Sequence, residues 1–340
     1  MHCSITYQNK EVRYSVIIPV YNRPDEVDEL LESLCTQTNG DFEVVVVEDG
    51  SSVPCESIVQ KYADRLDVHY YLKPNSGPGQ SRNYGVERAQ GEYVLILDSD
   101  AVLPPHYIQA VEDELQARPC DAFGGPDRAH ASFTPMQKAI NYGMTSFFTT
   151  GGIRGGKKKM DKFYPRSFNM GVRREVYNAL GGFSEMRFGE DIDFSTRIFK
   201  GGYACRLFPE AWVWHKRRTD LRKFFKQVHN SGIARIHLTK RHPGTLKLVH
   251  LLPMVFTLGC LACLLVAPFW PWSLLPLALF ALIILVDATR QERSLGVGLR
   301  AVAAAYVQLI GYGTGFLRAW WNRCLLGRGE FEAFKKNFYK

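Results

Sequence analysis

YVLILDSD, residues Tyr93 to Asp100, decides how this chain is read. Five apolar residues run directly into two carboxylates separated by one serine. The apolar run is short and has no polar alternation, so it predicts a strand buried on both faces, as in a parallel sheet. Two charges at the mouth of such a sheet require a counter-ion or a function, because desolvating them otherwise is costly. Asp98 and Asp100, two residues apart, can converge on one hard divalent cation, which in turn neutralises a diphosphate. Acidic pairs are also common in surface loops, so the placement after an apolar strand carries the argument.

Working outward, the same pattern recurs. YSVIIPV (14–20) is a further buried strand, and FEVVVV (42–47) and Val68–Leu72 are strands as well. Between them, Pro24, Asp25 and Glu26 suit the first turn of a helix whose apolar face is Val27, Leu30, Leu31 and Leu34. A loop over Pro74–Gly79 leads into a helix carrying Arg82 and Asn83. Strand and helix alternation predicts an open, mostly parallel α/β sheet with ligands beyond the carboxyl ends of its strands. Asp49 ends the second strand as Asp98 ends the fourth; it can accept hydrogen bonds from a nucleoside or simply close an Asx turn. Periodicity weakens from Cys120 to Gly156, which predicts a mobile or substrate-contacting region. Order returns with a strand over Ser167–Val172, a helix over Arg174–Leu180, a helix from about Glu190 and a last strand over Ala211–His215. Gly189-Glu190-Asp191 opens a helix, where acids complement the dipole; Asp191 can equally serve as a general base. His215 is either a satisfied structural histidine or an imidazole ligand for a manganese-like ion.

The chain has 340 residues and a formal net charge of +8. Basic clusters occur at Lys157–Lys159, at Lys216–Arg218 and just before the long apolar runs, without any nucleic-acid-binding signature, so nucleic acid is not an expected partner. The polar N-terminus offers no secretory signal, and the scattered cysteines read as reduced thiols. Apolar runs at Leu248–Trp270 and Trp272–Val286 suit two membrane helices joined by a Pro-Phe-Trp-Pro-Trp hairpin with interfacial tryptophans. A third run, Ala301–Trp321, contains Gln308 and glycines. If it spanned fully, the basic tail (Arg318, Arg323, Arg328, Lys335, Lys336, Lys340) would leave the cytoplasmic side, so an interfacial or re-entrant helix is preferred. The expected organisation is a catalytic domain over residues 1–240, a membrane hairpin over 245–290, and a third membrane or interfacial helix with a basic cytoplasmic tail over 299–340.

With these residues in hand, the segment from about 14 to 240 resembles family 2 glycosyltransferases of the GT-A fold, a Rossmann-like nucleotide-diphospho-sugar transferase architecture. Six ordered motifs carry the resemblance: SVIIPVYNR (15–23), VVVEDGSS (45–52), GPGQSRNYG (77–85), LILDSDAV (95–102), NMGVRREVYNALGGFSE (169–185) and GEDIDFSTR (189–197). The resemblance implies a nucleoside pocket lined by Pro19, Tyr21 and Asp49, with Glu48 assisting and Arg82 touching base or phosphate. It also implies that Asp98 binds ribose or the metal-linked diphosphate and that Asp100 is the principal ligand of Mn2+ or Mg2+. Asn169, Arg173 and Arg174 fall in the segment that faces the acceptor in relatives. Asp191 matches the catalytic base with Glu190 beside it, and His215 matches a late metal- or phosphate-facing histidine.

The implied activity is inverting transfer from a UDP- or GDP-sugar to a lipid-linked or growing glycan at the cytoplasmic face of the inner membrane, in cell-surface polysaccharide or glycolipid synthesis. A QxxRW motif is absent, the nearest segment being Gln227-Val228-His229-Asn230, which argues against a polymer-extruding synthase. A non-catalytic nucleotide-sugar scaffold is the alternative. A dehydrogenase is disfavoured because Pro19-Val20-Tyr21-Asn22 stands where GxGxxG belongs.

Overall fold

The computed structural model describes residues 12–128, 130, 132–151 and 163–331, which excludes the Lys157–Lys159 cluster and the tail lysines Lys335, Lys336 and Lys340. The chain divides into two compact units. One takes in the described residues up to Arg128 together with Phe163–Trp214, and the other takes in those between these segments and those from His215 onward.

The first unit opens with β1 (Tyr14–Val20), α1 (Pro24–Cys35), β2 (Phe42–Asp49), α2 (Glu56–Gln60), β3 (Val68–Lys73), α3 (Pro78–Val86) and β4 (Tyr93–Leu97). It continues with β5 (Ala101–Val102), α4 (Tyr107–Ala117), β6 (Ala122–Gly124) and β7 (Asp127–Arg128). The chain then leaves for α5 (Pro135–Thr145) and α6 (Phe147–Thr150) of the second unit. It returns with β8 (Asn169–Arg173), α7 (Arg174–Ala179), α8 (Glu190–Lys200), β9 (Cys205–Leu207) and β10 (Val213–His215), the unit boundary falling inside this last strand.

Seven strands form one sheet in the order β3-β2-β1-β4-β8-β6-β9, and β5-β10-β7 form a second. The first four strands run parallel, and β8 is antiparallel to both β4 and β6. Every residue of β1 and β2 is buried, because side chains alternate between two apolar layers. Val16 and Ile18 join one core cluster with α1, whereas Ile17 joins the other on the opposite face. Burying each such side chain contributes roughly 1.5–3 kcal/mol. The strand expected over Ser167–Val172 begins two residues later, at Asn169.

In the second unit, α9 (Leu221–Arg241) is followed by α10 (Leu252–Val266), α11 (Leu275–Glu292) and α12 (Leu295–Trp320). Three stretches, Leu248–Val266, Pro271–Glu292 and Leu295–Leu325, are long and apolar enough to cross a membrane. The first two are 11% buried within the protein and the third 39%, so α12 is distinctly the protein-packed one. Its small residues explain this. A methyl group on Gly232 of α9 would lie 2.1 Å from the Tyr312 carbonyl oxygen, and one on Gly315 would lie 2.0 Å from the His229 carbonyl oxygen. The two helices therefore touch backbone to backbone, as small residues permit in apolar surroundings.

Two local readings differ from the structure. The weakly patterned region contains α5, held by a capping box in which Thr134 and Gln137 satisfy each other's backbone N–H groups. Its Ala139 and Tyr142 share a core with Ala301 and Ala305 of α12, so burial supplies what periodicity lacks. Helix α12 starts at Leu295 rather than Ala301, because the Ser294 hydroxyl caps it by accepting from the Val297 N–H at 3.3 Å.

Candidate active site

Register brings three strand ends to one edge of the large sheet. Val20 of β1 pairs with Glu48 of β2, and Ile17 with Ile96 of β4, so Asp49 and Asp98 leave the sheet on the same side as Tyr21. Beyond β4 the chain turns tightly, the Ala101 N–H donating to the Asp98 carbonyl at 3.0 Å, and enters β5 beside β10. This turn gathers Asp98, Asp100 and His215, the last residue of β10, with their ligand atoms all within 4.8 Å of one another. Among the described residues it is the one group of three or more such side chains able to hold a metal ion. Two carboxylates and one imidazole form an oxygen-rich donor set that fits a manganese- or magnesium-like cation. Arg23, unassigned in the sequence reading, donates from Nη1 to Asp100 Oδ2 at 2.9 Å and to Glu26 at 2.7 Å.

Arg82 is held by two carboxylates of the protein itself. Its guanidinium is buried from solvent, with Nη2 donating to Asp98 Oδ1 at 2.7 Å and Nη1 to Glu190 Oε1 at 3.1 Å. One flat cation thus ties the acidic turn after β4 to the first turn of α8, while its carbon lies 5.2 Å from the Phe183 ring centroid. A bidentate fork suits this bridge in a way a lysine would not. Helix α8 begins where it does because Gly189 takes φ +85°, a left-handed conformation that favours glycine. Glu190, Asp191 and Asp193 then fill its first turn, where acids complement the helix dipole. Burial pushes the Glu190 carboxyl up to about 7, against the opposing pull of Arg82 and with Asp191 adding to the rise. Asp191 is paired with Arg166 at 2.8 Å, a partner the sequence reading did not single out.

The residues expected to line the donor pocket are mostly engaged with the protein itself. Asp49 accepts from Lys73 Nζ at 2.5 Å, from the Ser76 N–H at 2.9 Å and from the Gly77 N–H at 2.8 Å, which fixes the loop before α3. Glu48 accepts from Ser51 Oγ and from the Cys55 N–H at 2.7 Å, closing the turn after β2. Pro19 is buried within β1, and Tyr21 is half-buried just past its end.

The residues expected on the acceptor side lie apart from one another. Asn169 lies opposite Leu97, close to the acidic turn, but its amide is committed to Tyr107 at 2.7 Å and to the Ala211 carbonyl at 2.8 Å. Arg173 lies opposite Tyr93, four residues back along β4, roughly 13 Å from that edge by strand geometry. Arg173 pairs with Asp121 and Glu175 there, and Arg174 donates to the Gly91 and Gln90 carbonyls. Both therefore stand at the amino end of β4, away from the acidic turn. The antiparallel course of β8 is the reason: it carries Arg173 and Arg174 away from the edge that Asn169 approaches.

Residues 15–181, which include the turn after β4, match the family described as glycosyl transferase family 2. The chain carries a family 2 glycosyltransferase domain. A poly(ribitol-phosphate) beta-N-acetylglucosaminyltransferase, TarS of Staphylococcus aureus strain Mu50, is 44% identical over 93 residues, 26% of this chain and 16% of that protein. TuaG of Bacillus subtilis strain 168, named for teichuronic acid biosynthesis, is 34% identical over 131 residues, 37% of this chain and 52% of its own length. The aligned segments span from 13% to 52% of the length of such relatives. In three dimensions the chain is similar to the mannosyltransferase PcManGT of Pyrobaculum calidifontis, solved with GDP-Man and Mn2+: TM-score 0.61, 20% identity, 86% of each chain covered. That likeness bears on fold, and it agrees with the GT-A fold of the family 2 domain.

Proposed function

We propose that this chain is an inverting, metal-dependent glycosyltransferase that moves a sugar from a UDP- or GDP-sugar to a hydroxyl of a lipid-linked or growing glycan acceptor at the cytoplasmic face of the membrane. The observation that carries the reading is the Arg82 bridge, which joins Asp98 of the cation-gathering turn to Glu190, the neighbour of Asp191. GDP-Man and Mn2+ in PcManGT support a nucleotide-sugar donor.

A divalent cation held by Asp98, Asp100 and His215 would offset the charge of the donor diphosphate. The chain's own residues do the rest. Asp191 accepts the proton of the acceptor hydroxyl as that oxygen attacks the anomeric carbon from the face opposite the diphosphate, which inverts the centre. Arg166 shares the Asp191 carboxylate and must yield at least one oxygen to the acceptor. Arg82 keeps the base-bearing helix beside the diphosphate-binding turn. Tyr21 and the loop anchored on Asp49 frame the nucleoside, and Glu48 holds the neighbouring turn.

The membrane reading is two crossings, by α10 and α11, with α12 interfacial. Arg241, just before the first apolar stretch, pairs with Glu330 through two contacts of 3.2 Å. A methyl on Gly313 of α12 would lie 2.5 Å from the carbonyl oxygen of Pro253, in the first turn of α10. Both observations support a chain whose later part returns to the side from which α10 sets out. The basic residues on that side, Lys240, Arg241 and Lys247, favour the cytoplasm.

The purified chain with Mn2+ should transfer from a UDP- or GDP-sugar, and Asp191→Asn should lower transfer by orders of magnitude while nucleotide still binds. Nucleotide binding without turnover, across donors and acceptor lipids, would favour a non-catalytic scaffold instead. A tag placed after Lys340 should remain on the cytoplasmic side of sealed vesicles; exposure on the opposite side would overturn the two-crossing reading.

A further inference from the structure

Helix α6 is a single turn that carries two adjacent phenylalanines into solvent: Phe147 is 71% exposed and Phe148 45% exposed. Large apolar side chains exposed side by side, outside any membrane-length helix, mark a contact surface. Its neighbour identifies the partner. Gly151, which ends α6 in the left-handed region at φ +61°, sits so that an added methyl would lie 3.1 Å from Cγ2 of Val249. Val249 belongs to the short 3-10 turn Leu248–His250 that immediately precedes α10. Within the second unit, α6 therefore stands where the first apolar helix sets out, beside Leu248, itself 83% exposed. Exposed Lys247 adjoins this turn, and exposed Lys240 and Arg241 close α9 a few residues earlier.

We propose that α6 is a foot resting in one membrane leaflet, with the Phe147 and Phe148 rings at the boundary between headgroups and acyl chains and Lys247 against anionic phospholipid headgroups. Aromatic rings and lysines at one level are the combination that settles in a charged interface. The occupant is the leaflet itself: the surface is continuous with a membrane-length helix, and its charge is opposite to that of acidic lipid. Soluble protein partners fit less well, since they would have to share this level with the headgroups around α10. The foot would fix the α5–α6 segment at the depth where a lipid-linked acceptor presents its headgroup. The inference rests on the reading of α10 as a membrane crossing and goes beyond it, because neither phenylalanine lies in an apolar helix.

The test uses the full chain in lipid nanodiscs and fluorescence difference spectra of Phe148→Trp against the parent, which has six tryptophans. The added indole should be quenched by lipids brominated high on the acyl chain and shielded from aqueous iodide. Quenching by iodide but not by brominated lipid overturns the proposal. Phe147→Trp, read the same way, guards against a local misfold at one position. Brominated phosphatidylglycerol should quench more strongly than brominated phosphatidylcholine, and Lys247→Gln should reduce that preference by about fivefold. Equal quenching by the two lipids overturns the headgroup assignment. No donor sugar enters the assay, so its failure and the failure of the transferase reading are separable.

Discussion

Replacing Arg82 by methionine removes the one cation shared by Asp98 and Glu190 while keeping most of the side-chain volume. The two carboxylates do not suffer equally. The Asp98 side chain is 30% exposed and can recover water, whereas the Glu190 side chain is 9% exposed and cannot. The cost is therefore dominated by Glu190, which loses its cation in a dry site and must either stay charged there or take up a proton, and at pH 8 it amounts to about 3 kcal/mol, the lower end for breaking a buried pair. For a domain of this size, 1 kcal/mol moves Tm by about 2–4 °C, so Tm should fall by roughly 6–12 °C. Acid should relieve part of the loss. Burial already raises the Glu190 carboxyl to about 7, above its ordinary value, so the folded state binds the extra proton. Such a group is least unfavourable below the unfolded carboxylate range, and its stability contribution is lost as pH rises through the folded value. Without Arg82 the carboxyl rises further, so the gap between variant and parent should narrow from pH 8 to pH 5.5. Melting curves in metal-free buffer at both pH values read this directly. A variant within 2 °C of the parent, or a gap that does not change with pH, would refute the bridge as an energetic element.

Other expectations follow from the same geometry. Asp191→Asn should lower transfer by about 10²–10⁴-fold, the usual contribution of a positioned base, with nucleotide affinity nearly unchanged in equilibrium titration. Asp49→Ala leaves Lys73 Nζ and two backbone N–H groups without their shared acceptor, so limited proteolysis should cut the loop before α3 faster than in the parent. Gly232→Val places methyl groups where Tyr312 O lies 2.1 Å from a Cβ, so α9 must part from α12. Hydrogen exchange should then rise in both helices while the strands of the first unit stay protected.

Strands β1, β2 and β4 were legible because uninterrupted apolar runs have one economical fate, burial on both faces of a parallel sheet. Asp98, Asp100 and Asp191 stood out for a related reason, as charges at the ends of such elements. The rest depended on pairings that no local window contains. Arg82 and Glu190 meet across 108 residues of sequence, so no local window shows that this fork reaches α8. Arg23 sat in plain view within SVIIPVYNR, but nothing local indicates that it reaches Asp100, 77 residues away. The placing of Arg173 and Arg174 was not legible because a strand's direction cannot be read from its composition; antiparallel β8 carries them to the end of the sheet opposite the acidic turn. Helix α5 was missed because its support is tertiary, a face of Ala139 and Tyr142 laid on α12.

In the proposed mechanism everything depends on Asp98, Asp100 and His215 gathering a cation through which a nucleotide diphosphate is held. Isothermal titration of UDP and GDP into the full chain, with and without Mn2+, addresses it without requiring an acceptor. One nucleotide should bind in a manganese-dependent manner, and Asp100→Asn should weaken this binding by more than about tenfold. Binding that is equally tight in excess chelator, and indifferent to Asp100→Asn and His215→Ala, would contradict it.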